Sequence, residues 1–197
     1  FSRRELRGGL KGFRIFVACL ALGVATISGV GTLSQSIQAG LQRDGKKLLG
    51  GDIALRLLHR PATQEHREYF KTNSNFSEVI EMRAMARSIA QTNTRTLIEL
   101  KAVDNAYPLI GQTLLKKNPS LHTALKQNKG LWGAVVEKNL LPKLKVKIGD
   151  VLKIGESKFR LNGIIEKEPD RIANVLSFGP RIMIAREALT ATKLIQP

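Results

Sequence analysis

The sequence predicts an α+β protein in which one N-terminal transmembrane helix continues as a stalk into a mixed domain of short strands and helices. An uncharged apolar run extends from Ile15 to Leu33. It is long enough to cross a bilayer, because a transmembrane helix needs about 17–25 such residues. Beyond Gly51 the apolar residues alternate with others, as in Ile53, Leu55 and Leu57, which is typical of a strand with one buried face.

The residues ahead of the apolar run are basic, and they predict the orientation of the helix. Cationic flanks remain in the cytoplasm, so we expect a cytoplasmic N-terminus and export of the residues after about 40. The segment 1–12 reads as a short basic helix lying at the membrane interface. Its basic residues, which we expect at the cytoplasmic surface, are Arg3, Arg4, Arg7 and Lys11.

The helical spacing of apolar residues continues beyond the run, at Leu33, Ile37 and Leu41. The segment 13–49 is therefore predicted to be the transmembrane helix and its stalk, and Gly50-Gly51 ends it. A cleaved signal peptide is the main alternative, although its apolar core would be about 7–15 residues. A buried helix of a soluble protein is the third interpretation.

Small residues recur every four positions inside the apolar run, at Ala21, Ala25 and Gly29. They share one helix face, and small side chains allow a second helix to approach closely. We expect a helix-packing face there, although Ala and Gly are common enough in such helices for chance to produce the spacing.

Short elements are predicted over the rest of the chain from apolar spacing, caps and turn residues. The expected helices are 64–70, 120–127, a single turn at 137–141 ended by Pro142, and 186–192. The expected strands are 53–57, 83–90, 95–103, 134–136, 146–148, 151–154, 159–165 and 181–184. Turns are expected at Thr92-Asn93 and Gly149-Asp150, and the strands are expected in two clusters around a helical middle.

The chain is strongly basic, with a formal net charge of +16 in 197 residues. A nucleic-acid partner is disfavoured because aromatic residues, which stack on bases, are only 5% of the chain. A solvated basic surface facing anionic membrane lipids is the better interpretation.

No constellation for catalysis, cofactor binding or metal binding is found in the sequence. A phosphate-binding Gly-x-x-x-x-Gly-Lys-Ser/Thr loop is absent. His59, His66 and His122 lack the spacing of a helical metal pair, and Cys19 lies in the apolar run. The acidic residues between 166 and 170 are expected to form a loop held by local ion pairs.

Several stretches, in this order, resemble ABC-transporter permeases of the MacB/FtsX type, and most closely their YbbP-like branch. The stretches are Ser2–Leu22, Leu48–Leu55, Leu100–Gly111, Lys147–Ile165, Glu168–Arg171 and Gly179–Arg181. The third contains the family-motif loop, whose marked positions are Asp104, Tyr107, Pro108 and Gly111.

This resemblance implies a MacB-type periplasmic core domain over 50–197, with a porter-like part (50–104 and 131–197) and a small inserted segment (105–130). It implies a bacterial inner-membrane permease subunit, not itself an enzyme, that acts on a lipid, lipoprotein, peptide or similar envelope substrate. The implied partners are a cytoplasmic ATPase that holds ATP and magnesium, membrane lipids and a second permease copy.

The chain begins at Phe1, and we expect it to be a fragment of such a permease. Two other functions remain open at this point. One is a membrane-anchored exported binding or sensor domain. The other is an exported hydrolase, which needs a nucleophile and a base that the sequence does not offer.

Overall fold

The structure is a computed structural model that describes residues 2–58, 60–90, 94–116, 120–171 and 179–195. Side chains in the helical segments 2–12, 41–44 and 47–48 are outside this description. The chain forms two compact units, Phe1–Lys46 and Lys47–Pro197, and each is described by itself.

The first unit belongs to one long helix, α1, which runs without interruption from Ser2 to Leu49. Its segment Phe13–Gly40 contains an 18-residue window with a mean hydropathy of 2.0, and the segment is long and apolar enough to cross a membrane. Three hydroxyl groups inside this segment are satisfied locally, because Thr26, Thr32 and Ser36 each donate to the carbonyl four residues earlier at 2.8–2.9 Å. The predicted end of the helix is confirmed, since Gly50 follows it with φ +71°.

The second unit is a mixed α+β domain, which confirms the predicted fold class. Its helices are α2 (Gln64–Asn73), α3 (Leu121–Leu125), α4 (Leu140–Leu144) and α5 (Arg186–Ala191). Its strands are β1 (Val79–Ser88), β2 (Arg95–Val103), β3 (Leu114–Lys116), β4 (Trp132–Glu137), β5 (Val151–Ile154), β6 (Ser157–Lys167) and β7 (Arg181–Ala185).

All seven described strands lie in one sheet, in the order β3-β6-β4-β7-β2-β1-β5. β5 also pairs with β6, so six of the strands form a closed circuit, and β3 is attached to β6 outside it. The expected two clusters of strands are therefore wrong. The parallel pairs β2–β7 and β4–β6 join the early and late strands of the chain into one sheet.

The main hydrophobic core lies on the inner face of this sheet, where alternate residues of each strand meet. Ile98, Leu100, Leu161, Ile182 and Ile184 are almost fully buried there. A second cluster lies on the outer face, where α3 packs on β4 and where Tyr107 and Met183 are buried. The segment 105–130 contributes β3 and α3 to these layers, and its treatment as an inserted part remains a prediction.

Most predicted elements are confirmed, with shifts at their ends. The predicted strand 95–103 coincides with β2, and α2 begins after Thr63, whose hydroxyl accepts from the amide of His66 at 3.3 Å. The predicted helix 120–127 is limited to α3. The expected turn at Thr92-Asn93 lies outside the described residues.

Three predictions of secondary structure are wrong. No strand forms over 53–57, where Ile53 is 80% exposed, because the segment pairs with none of the described strands. Residues 146–148 form no strand and lead into the turn at Ile148-Gly149. Pro142 does not end a helix but lies inside α4, at its third position. Proline is tolerated there because the first four backbone N–H groups of a helix have no intrahelical hydrogen-bond acceptor, so the missing N–H breaks no bond.

Candidate functional site

Four charged residues lie on the outer face of three neighbouring strands. Glu81 on β1 stands opposite Lys101 on β2, and Glu99 on β2 stands opposite Arg181 on β7. They alternate along the strands with inward-facing core residues, so their side chains project away from the main core. Loops after β2 and β6 cover Lys101 and Arg181, whose side chains are 2% and 10% exposed, whereas Glu81 remains 40% exposed. We call the result the buried ionic network, after its two buried cations.

Lys101 is the centre of this network, and its side chain is only 2% exposed. The ammonium nitrogen Nζ lies 2.6 Å from Oε1 of Glu168, and 2.7 and 2.9 Å from the two carboxylate oxygens of Asp170. It also lies 3.0 Å from the hydroxyl of Tyr107 and 4.5 Å from the centre of its ring. The charge of Lys101 is therefore fully compensated in a place that water does not reach.

Arg181 forms the second cationic centre. Its Nη1 donates to Glu81 at 2.8 Å and to Oε1 of Glu168 at 3.0 Å, and its Nη2 donates to Glu99 at 3.3 Å. Burial alone would lower the pKa of Arg181, but the charges of Glu168 and Glu81 outweigh it and raise the pKa above its usual value. Glu168 is thus shared by both cations, although its Oε2 has no hydrogen-bond partner.

The two cations and the shared acid set the protonation of their neighbours. Burial opposes the charge of Asp170, but the charge and hydrogen bonds of Lys101 and the hydroxyl of Tyr107 lower its pKa below the usual value. Burial raises the pKa of Tyr107, and its hydrogen bond to Asp170 at 2.6 Å raises it further. Near neutral pH, Asp170 is therefore a carboxylate and Tyr107 a neutral donor.

The family-motif loop is held by Asp104, which follows the last residue of β2. Oδ1 of Asp104 accepts from the hydroxyl of Ser77 at 2.7 Å and from the amides of Ala106 and Tyr107 at 3.1 and 3.0 Å. Oδ2 accepts from the amide of Glu78 at 2.7 Å. One carboxylate thus fixes both the loop and the segment before β1, and it places Tyr107 against the network.

Close backbone contacts complete the site. The peptide bond between Tyr107 and Pro108 is cis, and Gly111 has φ +86°. A Cβ atom at Gly111 would lie 2.7 Å from the Cβ of Pro169, so only glycine allows the loop to lie this close. A Cβ at Gly50 would lie 3.1 Å from the Cβ of Asp170. The residue after the end of α1 therefore lies beside the network.

Stretches that are far apart in sequence meet at this site. They are Gly50, the motif loop up to Gly111, the segment 168–171 and the start of β7. The expected local ion pairs of the acidic segment are wrong, because the partner Lys101 is 67 residues from Glu168 and 69 from Asp170. Arg171 likewise pairs with Glu137 on β4, at 3.1 Å.

The sequence motifs marked Asp104, Tyr107 and Gly111. Lys101 and Arg181 lie in the resembling stretches but were assigned no role there. The available signal was a charge at an alternate position of an otherwise apolar strand, since Lys101 lies between Leu100 and Ala102. Alternation alone places such a lysine on the solvent side of a sheet, and only the fold shows that a loop covers it.

The chemistry of this network is ionic and structural. Within the described ranges, no group of three His, Cys, Asp or Glu residues is arranged to hold a metal ion. The network's described polar contacts join its carboxylates to lysine, arginine, the Tyr107 hydroxyl and backbone amides. Such an arrangement holds segments of the chain in one geometry.

The other predicted site residues are not brought together by the structure. Outside its own turns of helix, Gly29 has no atom within 4 Å of the position of a Cβ, and the neighbouring apolar residues of the span are exposed. The packing face of Ala21, Ala25 and Gly29 therefore remains a prediction. The side chains of Arg3, Arg4, Arg7 and Lys11 lie outside the described residues.

The chain is similar to a curated protein, an uncharacterized ABC transporter permease YbbP of Escherichia coli strain K12. The identity is 28% over 178 residues, which are 90% of this chain and 21% of the relative. The chain thus spans about a fifth of the relative's length. The resemblance to ABC transporter permeases drawn from the sequence motifs is confirmed. No family model matches the chain.

Two solved structures are also similar. The extracellular domain of the noncanonic ABC-type transporter YknZ from Gram-positive bacteria has a TM-score of 0.47 and 12% identity, over 66% of each chain. The periplasmic region of MacB from Actinobacillus actinomycetemcomitans has a TM-score of 0.46 and 10% identity, over 70% of this chain and 62% of that one.

Proposed function

We propose that this chain is the first membrane span and the extracytoplasmic domain of an ABC transporter permease in the bacterial inner membrane. The similarity to the permease YbbP along 90% of the chain carries the proposal. The single apolar span of α1 ahead of a mixed α+β domain supports it. The substrate class we propose is a lipid, lipoprotein, peptide or similar molecule of the cell envelope.

The proposed mechanism couples ATP hydrolysis in the cytoplasm to movement of the extracytoplasmic domain. ATP and magnesium bind a separate ATPase subunit, and this chain contributes no catalytic group. The buried ionic network supports this mechanism because Gly50, the residue after the end of α1, packs against Asp170, which Lys101 joins to strand β2. A displacement of the chain at Gly50 is thereby passed to the sheet and not absorbed by a loose loop.

The orientation that we propose places the N-terminus and its basic residues in the cytoplasm and the domain outside it. The positive charges ahead of the span support it. We also propose that Ala21, Ala25 and Gly29 pack against another membrane helix, from a second copy or a later span of the same permease. A helix from either source could pack closely against this face, because its small side chains allow the two backbones to approach.

Cysteine labelling tests the orientation, because Cys19 is the only cysteine of the chain. In a Cys19→Ala background, Lys126→Cys places a thiol at an exposed position of the domain, and Ser2→Cys places one at the N-terminus. A membrane-impermeant maleimide should label the Lys126→Cys protein in spheroplasts, and the Ser2→Cys protein only after lysis. The opposite pattern, or labelling of both in intact spheroplasts, would contradict the proposed topology.

A further inference from the structure

A row of four basic residues crosses four neighbouring strands of the sheet. Arg95 on β2 stands opposite Arg87 on β1, and Arg87 stands opposite Lys153 on β5. Lys153 in turn stands opposite Lys158 on β6. These four residues, here called the cationic row, come from four separate parts of the sequence, and only the register of the sheet aligns them.

The cationic row lies on the outer face of the sheet, because the neighbours of Arg87 on its strand, Ala86 and Ser88, are buried. The amide of Ser88 donates to the carbonyl of Thr94 at 3.0 Å, so these two residues form a hydrogen-bonded pair. Arg87 and Arg95 are then the adjacent non-hydrogen-bonded pair, whose Cα atoms in such ladders lie about 4.5 Å apart. Three steps of about 4.8 Å between strands give the row a length of about 15 Å.

The positive charge of the row is poorly compensated within the chain. Its ion pair among the described residues is that of Lys153 with Glu156 at 3.5 Å, and Glu156 has a 65% exposed side chain. Such exposed ion pairs contribute little to stability and neutralise little of the charge of the row. On the same face of β2, the next acidic residue is Glu99, which stands two residue pairs away, opposite Arg83. Like charges directly opposite one another destabilise a sheet. An anionic ligand would therefore reduce the repulsion that remains between these four cations in the folded protein.

Exposed apolar side chains flank the row. Met85 and Leu97 stand opposite one another in the next residue pair on the same face, and they are 48% and 39% exposed. Ile89, which directly follows the end of β1, is 45% exposed. Basic residues next to apolar ones fit the interface of a membrane, where phosphates meet acyl chains.

We propose that the cationic row binds the phosphates of anionic phospholipids in the membrane that anchors the chain. The compact domain begins at Lys47, seven residues (47 − 40) after the end of the candidate span at Gly40. The domain is therefore covalently attached to the membrane whose phosphates it would bind. The proposal rests on the membrane anchoring in the proposed function but not on the ATPase partner.

The test uses the full chain embedded in phosphatidylcholine nanodiscs and its binding to added vesicles. The vesicles contain either phosphatidylcholine alone or 30% phosphatidylglycerol, and co-flotation measures binding. The row variant changes Arg87, Arg95, Lys153 and Lys158 to Gln. The matched control changes four scattered lysines to Gln and lowers the net charge equally; these are Lys71, Lys126, Lys138 and Lys143, all exposed.

We expect the wild type and the control to bind the phosphatidylglycerol vesicles and not the neutral ones. The row variant should bind about 100-fold more weakly or worse, since each basic residue near an anionic surface contributes about fivefold. Its thermal unfolding midpoint should not fall, because the change removes repulsion within the sheet. This readout separates lost binding from lost folding.

Three results would overturn the proposal. Equal losses in the row variant and the control would show that only net charge matters. Unchanged binding in the row variant would exclude the row as the site. Row-dependent binding of a poly-glutamate peptide, without binding to the vesicles, would identify an acidic protein partner instead. A chain that does not remain in nanodiscs would refute the anchoring itself and so separate the two proposals.

Discussion

Replacing Lys101 by Met tests whether the buried network holds the extracytoplasmic domain together. Met has a similar length but no charge, so Lys101→Met leaves Glu168 and Asp170 without their shared cation. The side chains of these acids are 1% and 20% exposed. Breaking a buried pair by removing one partner costs about 3–5 kcal/mol. We expect the lower end, about 3 kcal/mol, because Arg181 still contacts Glu168 at 3.0 Å.

The measurement is thermal unfolding of the full chain in detergent, followed by tryptophan fluorescence. Trp132 is the only tryptophan, and it lies on β4, against the main core, so it reports on the domain alone. For about 150 residues, 1 kcal/mol lowers Tm by about 2–4 °C, so we expect Tm to fall by about 6–12 °C. Lys126→Met, at an exposed position, is the control and should leave Tm unchanged.

The pH dependence gives the same prediction a second readout. The pKa of Asp170 is lowered in the folded protein, so its contribution to stability is present above its unfolded pKa, about 3.9, and is lost as pH falls through the lowered folded value. In Lys101→Met that contribution is absent. The difference in Tm between wild type and variant should therefore be largest near pH 7 and shrink below about pH 4. A difference under 2 °C at pH 7, or one that grows on acidification, would refute the reasoning.

Three further predictions concern the motif loop and the span. Asp104→Ala removes four hydrogen bonds to one carboxylate and should lower the free energy of unfolding by about 2–4 kcal/mol in urea titrations; a loss under 1 kcal/mol would contradict its role. Gly111→Ala should cost about 2–3 kcal/mol because of the contact with Pro169, whereas Gly130→Ala, with a similar φ of +80° but open space, should cost about 1; equal costs would remove the packing argument. Gly29→Leu should weaken assembly on native gels while the Tm of the domain stays constant, and an unchanged complex would count against the packing face.

The sequence was sufficient to predict those secondary-structure elements that depend on local residue patterns. The end of α1 at Leu49, the start of α2 at Gln64 and strand β2 depend on glycine, threonine and an alternating pattern, and all were predicted. The alternation of Ile53, Leu55 and Leu57 failed as a signal because a strand also needs a neighbouring backbone. That requirement depends on the whole sheet and cannot be found in five residues.

The candidate site could be predicted only in part, for the same reason. Tyr107 and Gly111 were marked by the family motif, but their role depends on Pro169 and Asp170, more than fifty residues later in the chain. Lys101 and Arg181 become neighbours of Glu168 only through the parallel pairing of β2 with β7. Long-range register, and not residue type, distinguishes a buried ionic network from a solvated one.

The most direct test of the central claim, that the chain is part of an ABC transporter permease, is affinity purification of the full-length protein from native membranes in mild detergent. The account predicts that an ATPase subunit with a Walker loop co-purifies with it in a fixed ratio, and that the complex hydrolyses ATP. A protein that purifies without any ATPase, and whose full-length sequence has no further apolar span, would contradict the account and leave a single-span exported binding domain.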